Sequence, residues 1–162
     1  MEKRRKVRLA EVALDAGVSP ATVSRAMVQP DLLSAETLRR VHASALRLGY
    51  RPDGMARALA SGRTMTIGAI VPTLDSTIFA HALQSMQSAL VREGYQLLVA
   101  SHEMNPAAET EAVRTLLARG VDGLMLVGAE HAQETSLLLR SAGVPVVLTW
   151  VGAPEFAAVT VD

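Results

Sequence analysis

The sequence predicts two folds in series: a small all-α unit, then an α/β layer built on a parallel sheet. Three observations predict it. Apolar residues recur with a helical period over the first 50 residues, strand-length apolar runs alternate with amphipathic stretches from Thr66 onward, and the charge changes sign between the two parts. Residues 1–63 hold 12 Lys or Arg against 6 Asp or Glu, which is +6, and residues 64–162 hold 4 against 10, which is −6. The formal net charge of zero conceals that asymmetry.

The first helix carries Leu9, Val12, Ala13 and Ala16 on one stripe and stops at Gly17, which can take the left-handed backbone that ends a helix. Ser19 is suited to cap the second helix and Pro20 to its first turn, where a missing N–H has no bond to lose. Val23, Ala26 and Met27 form the second stripe. Ser34 caps a third helix bearing Leu38, Val41, Ala45 and Leu48, which Gly49 and Pro52 stop. The predicted division is a head over 1–52, a polar, alanine-rich linker over 53–63, and an α/β part over 64–162.

The spacing of the first two helices is that of a helix-turn-helix. Ala13 is small enough for close helix approach, Gly17 makes the turn, and Val12, Val18 and Val23 lock the pair together. The start of the second helix is then held outward. Pro20, Ala21, Thr22, Ser24 and Arg25 are short or hydrogen-bonding, which suits entry into a major groove about 12 Å wide. A basic segment also suits a polyanion, since each neutralised phosphate releases counterions. Sequence-specific contact with double-stranded DNA is the function this unit predicts.

From Thr66 the strand candidates are Ile67–Pro72, Gln96–Ala100, Gly123–Val127, Val144–Thr149 and Ala157–Val161. Helix candidates over 78–93, 107–119 and 132–142 lie between them. Such alternation implies parallel strands with helices on both faces, and ligands of such sheets bind beyond the carboxyl ends of the strands. That rule selects Thr73 to Phe79, Ser101 to Glu103, and Thr149 to Trp150. Phe79 and Trp150 offer faces for a sugar ring to stack on; Asp75, Ser76, Ser101 and Glu103 offer partners for its hydroxyls.

Other classes find little support. The chain has no cysteine, which removes disulfides and thiolate metal sites. It lacks the glycine-rich phosphate loops, the nucleophile elbow and any histidine pair at metal spacing, and His42, His81, His102 and His131 are scattered. No enzyme, metal or cofactor is expected. The basic start, Lys3 to Lys6, is followed by Arg8, Glu11 and Asp15, which interrupt the apolar run that export needs. No stretch reaches the roughly 20 apolar residues of a membrane span. A soluble, cytoplasmic protein is the expectation.

The run Val12-Ala13, Ala16-Gly17-Val18-Ser19, Thr22-Val23-Ser24-Arg25, Val41 and Leu48-Gly49-Tyr50-Arg51-Pro52 resembles the LacI/GalR family of bacterial repressors. Gln29-Pro30-Asp31 and Ser34-Ala35-Glu36-Thr37 resemble its gluconate-type members in particular. The resemblance continues through Ile67-Gly-Ala-Ile-Val-Pro-Thr-Leu, Gly94-Tyr95-Gln96, Val121-Asp-Gly-Leu and Val144-Pro-Val-Val, which are similar to the N-terminal subdomain of that family's effector core, a relative of periplasmic sugar-binding proteins.

What the resemblance implies is a repressor or regulator controlled by a small-molecule effector, a sugar or sugar acid. Pro20 and Ala21 would open the base-reading helix, Thr22, Ser24 and Arg25 would contact base edges or phosphates, and Ser19 and Tyr50 would anchor the DNA backbone. The segment Asp53-Gly-Met-Ala-Arg-Ala-Leu-Ala-Ser resembles the family's hinge helix, with Leu59 as an apolar wedge for the minor groove beside Ala56 and Arg57. Gly54 disfavours helix by roughly 1 kcal/mol relative to alanine, so the free hinge is expected to be disordered. Family members usually carry a second α/β subdomain, absent from this sequence. A homodimer is expected because one head reads too few base pairs, with Phe79, Leu83, Met86 and Leu90 at the interface. The alternative is a small-molecule binding module with a vestigial DNA head, against which the basic head argues.

Overall fold

The structure is a computed structural model that describes residues 6–51, 54–151 and 154–160. Lys3, Arg4, Arg5, Pro52, Asp53 and Val161 lie outside the described residues. The chain forms two compact units, over 1–60 and 61–162.

In the first unit, α1 (Leu9–Ala16), α2 (Pro20–Val28) and α3 (Ala35–Leu48) surround one small core. Val12, Val23 and Val41 are fully buried there with Ala13, Ala16, Ala26 and Ala45, and Val18, Leu38, Leu48 and Tyr50 pack around them. Small residues at the contact let the helices approach closely, which is why alanines fill so much of this core. A short 3₁₀ turn, Pro30–Leu32, joins α2 to α3 where the sequence predicted no element. Helix α4 follows over Gly54–Ser61, and here the expectation of a disordered hinge is corrected. Its glycine stands at the first position, where loss of helix propensity matters least, and alanine or leucine occupies four of the positions after it, Ala56, Ala58, Leu59 and Ala60, with Arg57 between them ranking beside leucine as a helix former.

The second unit alternates strand and helix: β1 (Thr66–Val71), α5 (Thr77–Arg92), β2 (Gln96–Ser101), α6 (Pro106–Ala118), β3 (Gly123–Val127), α7 (Gln133–Arg140), β4 (Val146–Trp150) and β5 (Ala157–Thr160). All neighbouring strands pair in parallel, in the order β2-β1-β3-β4-β5. Prolines set two of the strand ends. Pro72 has no N–H to give a ladder beyond Val71, and β4 begins after Pro145, two residues later than the sequence predicted, with the Pro145 carbonyl taking the Leu124 N–H at 2.9 Å.

On one face of the sheet, Ile70, Leu124, Leu126, Val146 and Leu148 meet Val113 and Leu116 of α6 and Leu139 of α7. Burying each such side chain contributes about 1.5–3 kcal/mol, so this face dominates the unit's stability. Gly68 shares that face by the two-residue period; a Cβ there would meet Leu116 and Leu124 methyl carbons at 2.9 Å. The β1 to β2 crossover runs opposite to the later ones, and right-handed crossovers therefore put α5 on the other face. None of its residues is buried: Phe79, Leu83, Met86 and Leu90 are half-covered.

Candidate nucleic-acid interface and effector edge

The turn between α1 and α2 is built as the sequence suggests. Gly17 is left-handed, with φ 64° and ψ 41°, and the Val18 N–H donates back to the Ala13 carbonyl at 3.0 Å. The Ser19 Oγ accepts the Thr22 N–H at 3.1 Å and lies 2.9 Å from the Thr22 hydroxyl, so α2 starts on that serine. Val23 and Ala26 turn inward, which leaves Ser19, Pro20, Ala21, Ser24 and Arg25 exposed and Thr22 half-covered. The Arg25 guanidinium makes no hydrogen bond or ion pair among the described residues, and is free to meet a ligand. Tyr50 is half-buried against the head's core, its N–H on the Ala45 carbonyl at 2.8 Å.

Two arginines of α3 hold the turn instead of facing solvent alone, and the sequence reading did not single them out. Arg40 Nη2 donates to the carbonyls of Ala16 at 2.7 Å and Gly17 at 3.1 Å, closing the carboxyl end of α1 with a positive charge. Arg47 pairs with Asp15, which also accepts the Ser44 hydroxyl. The Ser44 bond first, then Arg47, holds the Asp15 carboxyl below the usual carboxylate range. These partners are 23 to 32 residues apart in sequence, so no local pattern announces them.

In α4, Leu59 is 89% exposed, a large apolar side chain without cover. Ala56 and Arg57 lie in the same helix, their side chains outside the described part of the structure.

In the second unit, the parallel order brings every strand's carboxyl end to one edge. The crossover direction reverses at β1, so the point where ligands of open sheets bind falls between the ends of β1 and β3. Asp75 is exposed, its N–H on the Thr73 hydroxyl at 3.1 Å, and Ser76 stands half-covered at the start of α5. Ser101 closes β2, and Glu103 is exposed in left-handed backbone at φ 47°. Phe79 and Trp150, 71 residues apart in the chain as numbered, meet edge to face with ring centroids 5.2 Å apart. Trp150 ends β4 at φ 70°, a left-handed conformation that bulky residues rarely hold.

The same edge holds a cluster that the sequence reading left as scattered histidines. Glu109 of α6 is 5% exposed, and its Oε1 lies 3.0 Å from His131 Nδ1 and 3.9 Å from His102 Nε2. The other ring nitrogens, His102 Nδ1 and His131 Nε2, are buried and have no hydrogen-bond partner among the described residues. Beside them the Thr110 and Thr135 hydroxyls bond at 2.8 Å, tying α6 to α7. No group of three or more metal-ligating side chains suited to a metal ion exists among the described residues.

Comparison with known proteins completes the picture. The family model for bacterial regulatory proteins of the lacI family matches residues 8–53, and that for periplasmic binding proteins and the sugar binding domain of the LacI family matches residues 64–155. Catabolite control protein A of Staphylococcus aureus strain MRSA252 is 31% identical over 158 residues, 96% of this chain and 48% of the relative. The protein of the same name from Staphylococcus xylosus is 30% identical over the same shares. Among solved structures, a LacI-family transcriptional regulator from Silicibacter pomeroyi matches with a TM-score of 0.82 at 32% identity, over 96% of this chain and 47% of that one. The lac repressor dimer bound to operator and the anti-inducer ONPF matches with a TM-score of 0.74 at 29% identity, over 90% and 44%. The chain spans about half the length of the curated relatives it matches.

Proposed function

The chain belongs to the LacI family of bacterial regulatory proteins, and from that premise we propose that it is a sequence-reading transcriptional repressor whose hold on operator DNA is set by a sugar or sugar acid. One observation carries the reading: the turn at Gly17, Ser19 and Pro20 presents a solvent-facing helix start, with Arg25 uncommitted, within residues 1–63, the stretch that bears the +6 charge. Residues 1–52 act as the reading head, 53–63 as the hinge and 64–162 as the first subdomain of the effector core. Ser19, Pro20, Ala21, Thr22, Ser24, Arg25 and Tyr50 meet the major groove and its phosphates, and Leu59 of α4, with Ala56 and Arg57, meets the minor groove. An exposed leucine on a helix beside such a head is what an apolar wedge requires.

The effector sits at the carboxyl edge of the sheet. The Phe79 and Trp150 pair gives an apolar wall for a sugar ring, and Asp75, Ser76, Ser101 and Glu103 supply polar partners. The protein works in the cytoplasm as a homodimer, matching two-fold operators. The named relatives are regulators, in line with the absence of a catalytic motif. Among the described residues no helix is long and apolar enough to cross a membrane.

The test is binding of the chain to operator-like palindromes selected from a random pool, against scrambled duplexes at physiological salt. A bidentate arginine contributes about 1–3 kcal/mol of base discrimination, so Arg25→Ala lowers specific binding roughly 5- to 150-fold and non-specific binding far less. Equal affinity of the wild type for palindrome and scramble removes the operator reading and leaves a small-molecule binding module.

A further inference from the structure

The turns at the carboxyl edge of the sheet carry acids and histidines but no lysine or arginine. Over residues 72–76, 102–105 and 128–132 the titratable side chains are Asp75, His102, Glu103, Glu130 and His131, and the three acids are exposed. Of the helices behind them, α5 brings the exposed His81 and α6 the buried Glu109. Arg114 of α6 is engaged by Glu111 and by Glu134 of α7. The other arginines of this unit, Arg92, Arg119 and Arg140, stand at the far ends of α5, α6 and α7. A sugar acid bound at the carboxyl edge therefore meets three carboxylates and no fixed cation.

His102 is placed to supply that charge. Its backbone N–H donates to the Val71 carbonyl at 3.2 Å, which sets the residue beside the end of β1, and Ser101 and Glu103 flank it. Ring Nε2 lies 3.9 Å from Glu109 Oε1, within ion-pair distance once the ring is charged. Ring Nδ1 is buried and has no hydrogen-bond partner among the described residues. A proton added to a neutral imidazole makes both nitrogens donors. Glu109 then attracts one of them, and the other needs an acceptor that the described residues do not supply. His131 differs, because its Nδ1 already lies 3.0 Å from the same Oε1 and its side chain is 3% exposed against 12% for His102.

We propose that His102 is the cation of the effector site: its ring takes a proton from solvent as a sugar acid binds and donates through Nδ1 to the effector's carboxylate, while Glu109 holds Nε2. The inference rests on the effector reading above and narrows it from sugars in general to their acids. No covalent bond changes; the bound anion and the added proton arrive together. Glu109 is the positioning residue, since its charge stabilises the imidazolium from the side away from the ligand. Histidines change charge between about pH 5 and 8. Uptake of one proton with the ligand makes the affinity rise about tenfold for each unit that pH falls, over the range where the free ring is neutral.

Titration calorimetry of the full chain against a panel of aldonic and uronic acids, each beside its neutral sugar, reads this directly. Runs at about pH 8, 7 and 6, in buffers of different ionisation enthalpy, count the protons exchanged. An acid of the panel should bind with uptake of about one proton and tighten about tenfold from pH 8 to 7. Its neutral counterpart should bind more weakly and without proton uptake. His102→Gln keeps an N–H donor but takes no charge, so the uptake and the pH dependence should both vanish; Glu109→Gln should reduce both. The wild-type buffer series decides the matter if either variant does not fold. Acid binding without proton uptake, an uptake that survives in His102→Gln, or neutral sugars bound in preference to acids overturns the role of His102 and leaves the effector reading standing. Binding by no member of the panel overturns that reading and this proposal with it.

Discussion

Substituting Gly17 by alanine tests the turn through the residue that closes it. At φ 64° an L-residue loses roughly 1–2 kcal/mol. The added Cβ would also stand 2.9 Å from Arg40 Nη2, the atom that donates to the Ala16 and Gly17 carbonyls. Displacing that guanidinium removes charge-assisted bonds worth about 1.5 kcal/mol at the low end of their range, since Arg40 is exposed. Gly17→Ala should therefore destabilise the head by about 3 kcal/mol, and Arg40→Ala by about 1.5. The two effects share a cause, because a head without Arg40 has no guanidinium to displace. The double variant should thus cost about 3 kcal/mol, short of the simple sum by about 1.5. Native-state amide exchange at the buried positions Val12 and Val23 reads the head's stability separately from the α/β unit. A double variant as unstable as the sum of the singles refutes the geometry on which this reasoning stands.

Three further outcomes are expected. Asp15 has its acidity raised in the folded head, so its contribution is present above the ordinary aspartate value of roughly pH 4 and lost as pH falls through the lower folded value; Asp15→Asn should flatten the head's acid destabilisation in that window, followed by circular dichroism. Leu126, fully buried beneath α6 and α7, should cost about 2–5 kcal/mol on conversion to alanine, measured by urea denaturation of the α/β unit. Trp150 is the chain's one tryptophan, so its fluorescence reports directly on the sheet edge. Binding of a sugar or sugar acid there should shift its emission, and Trp150→Ala, which removes the ring that meets Phe79, should weaken that binding, read by calorimetry because the variant has no tryptophan left.

Much of this molecule was legible in its residues because the signals are local. Gly17, Ser19 and Pro20 fix a turn within four positions, and strand-length runs between amphipathic stretches give the parallel layer with ends misplaced by two residues at most. Gly54 misled the reading of the hinge, since one poor helix former at the first position does not outweigh the alanines and leucine behind it. Family resemblance supplied the candidate contact residues, and nothing in composition alone would have chosen Tyr50 or Leu59.

Tertiary structure decided the pairings between distant positions. Arg40 on the end of α1, Asp15 between Ser44 and Arg47, Asp122 beneath Thr64 and Met65, and Glu109 beside His131 each join residues far apart in the chain. Periodicity and capping preferences act over one or two turns of backbone, so a sequence states them openly. A polar side chain's partner depends on which elements pack together, and that is settled only when the cores of the two units close.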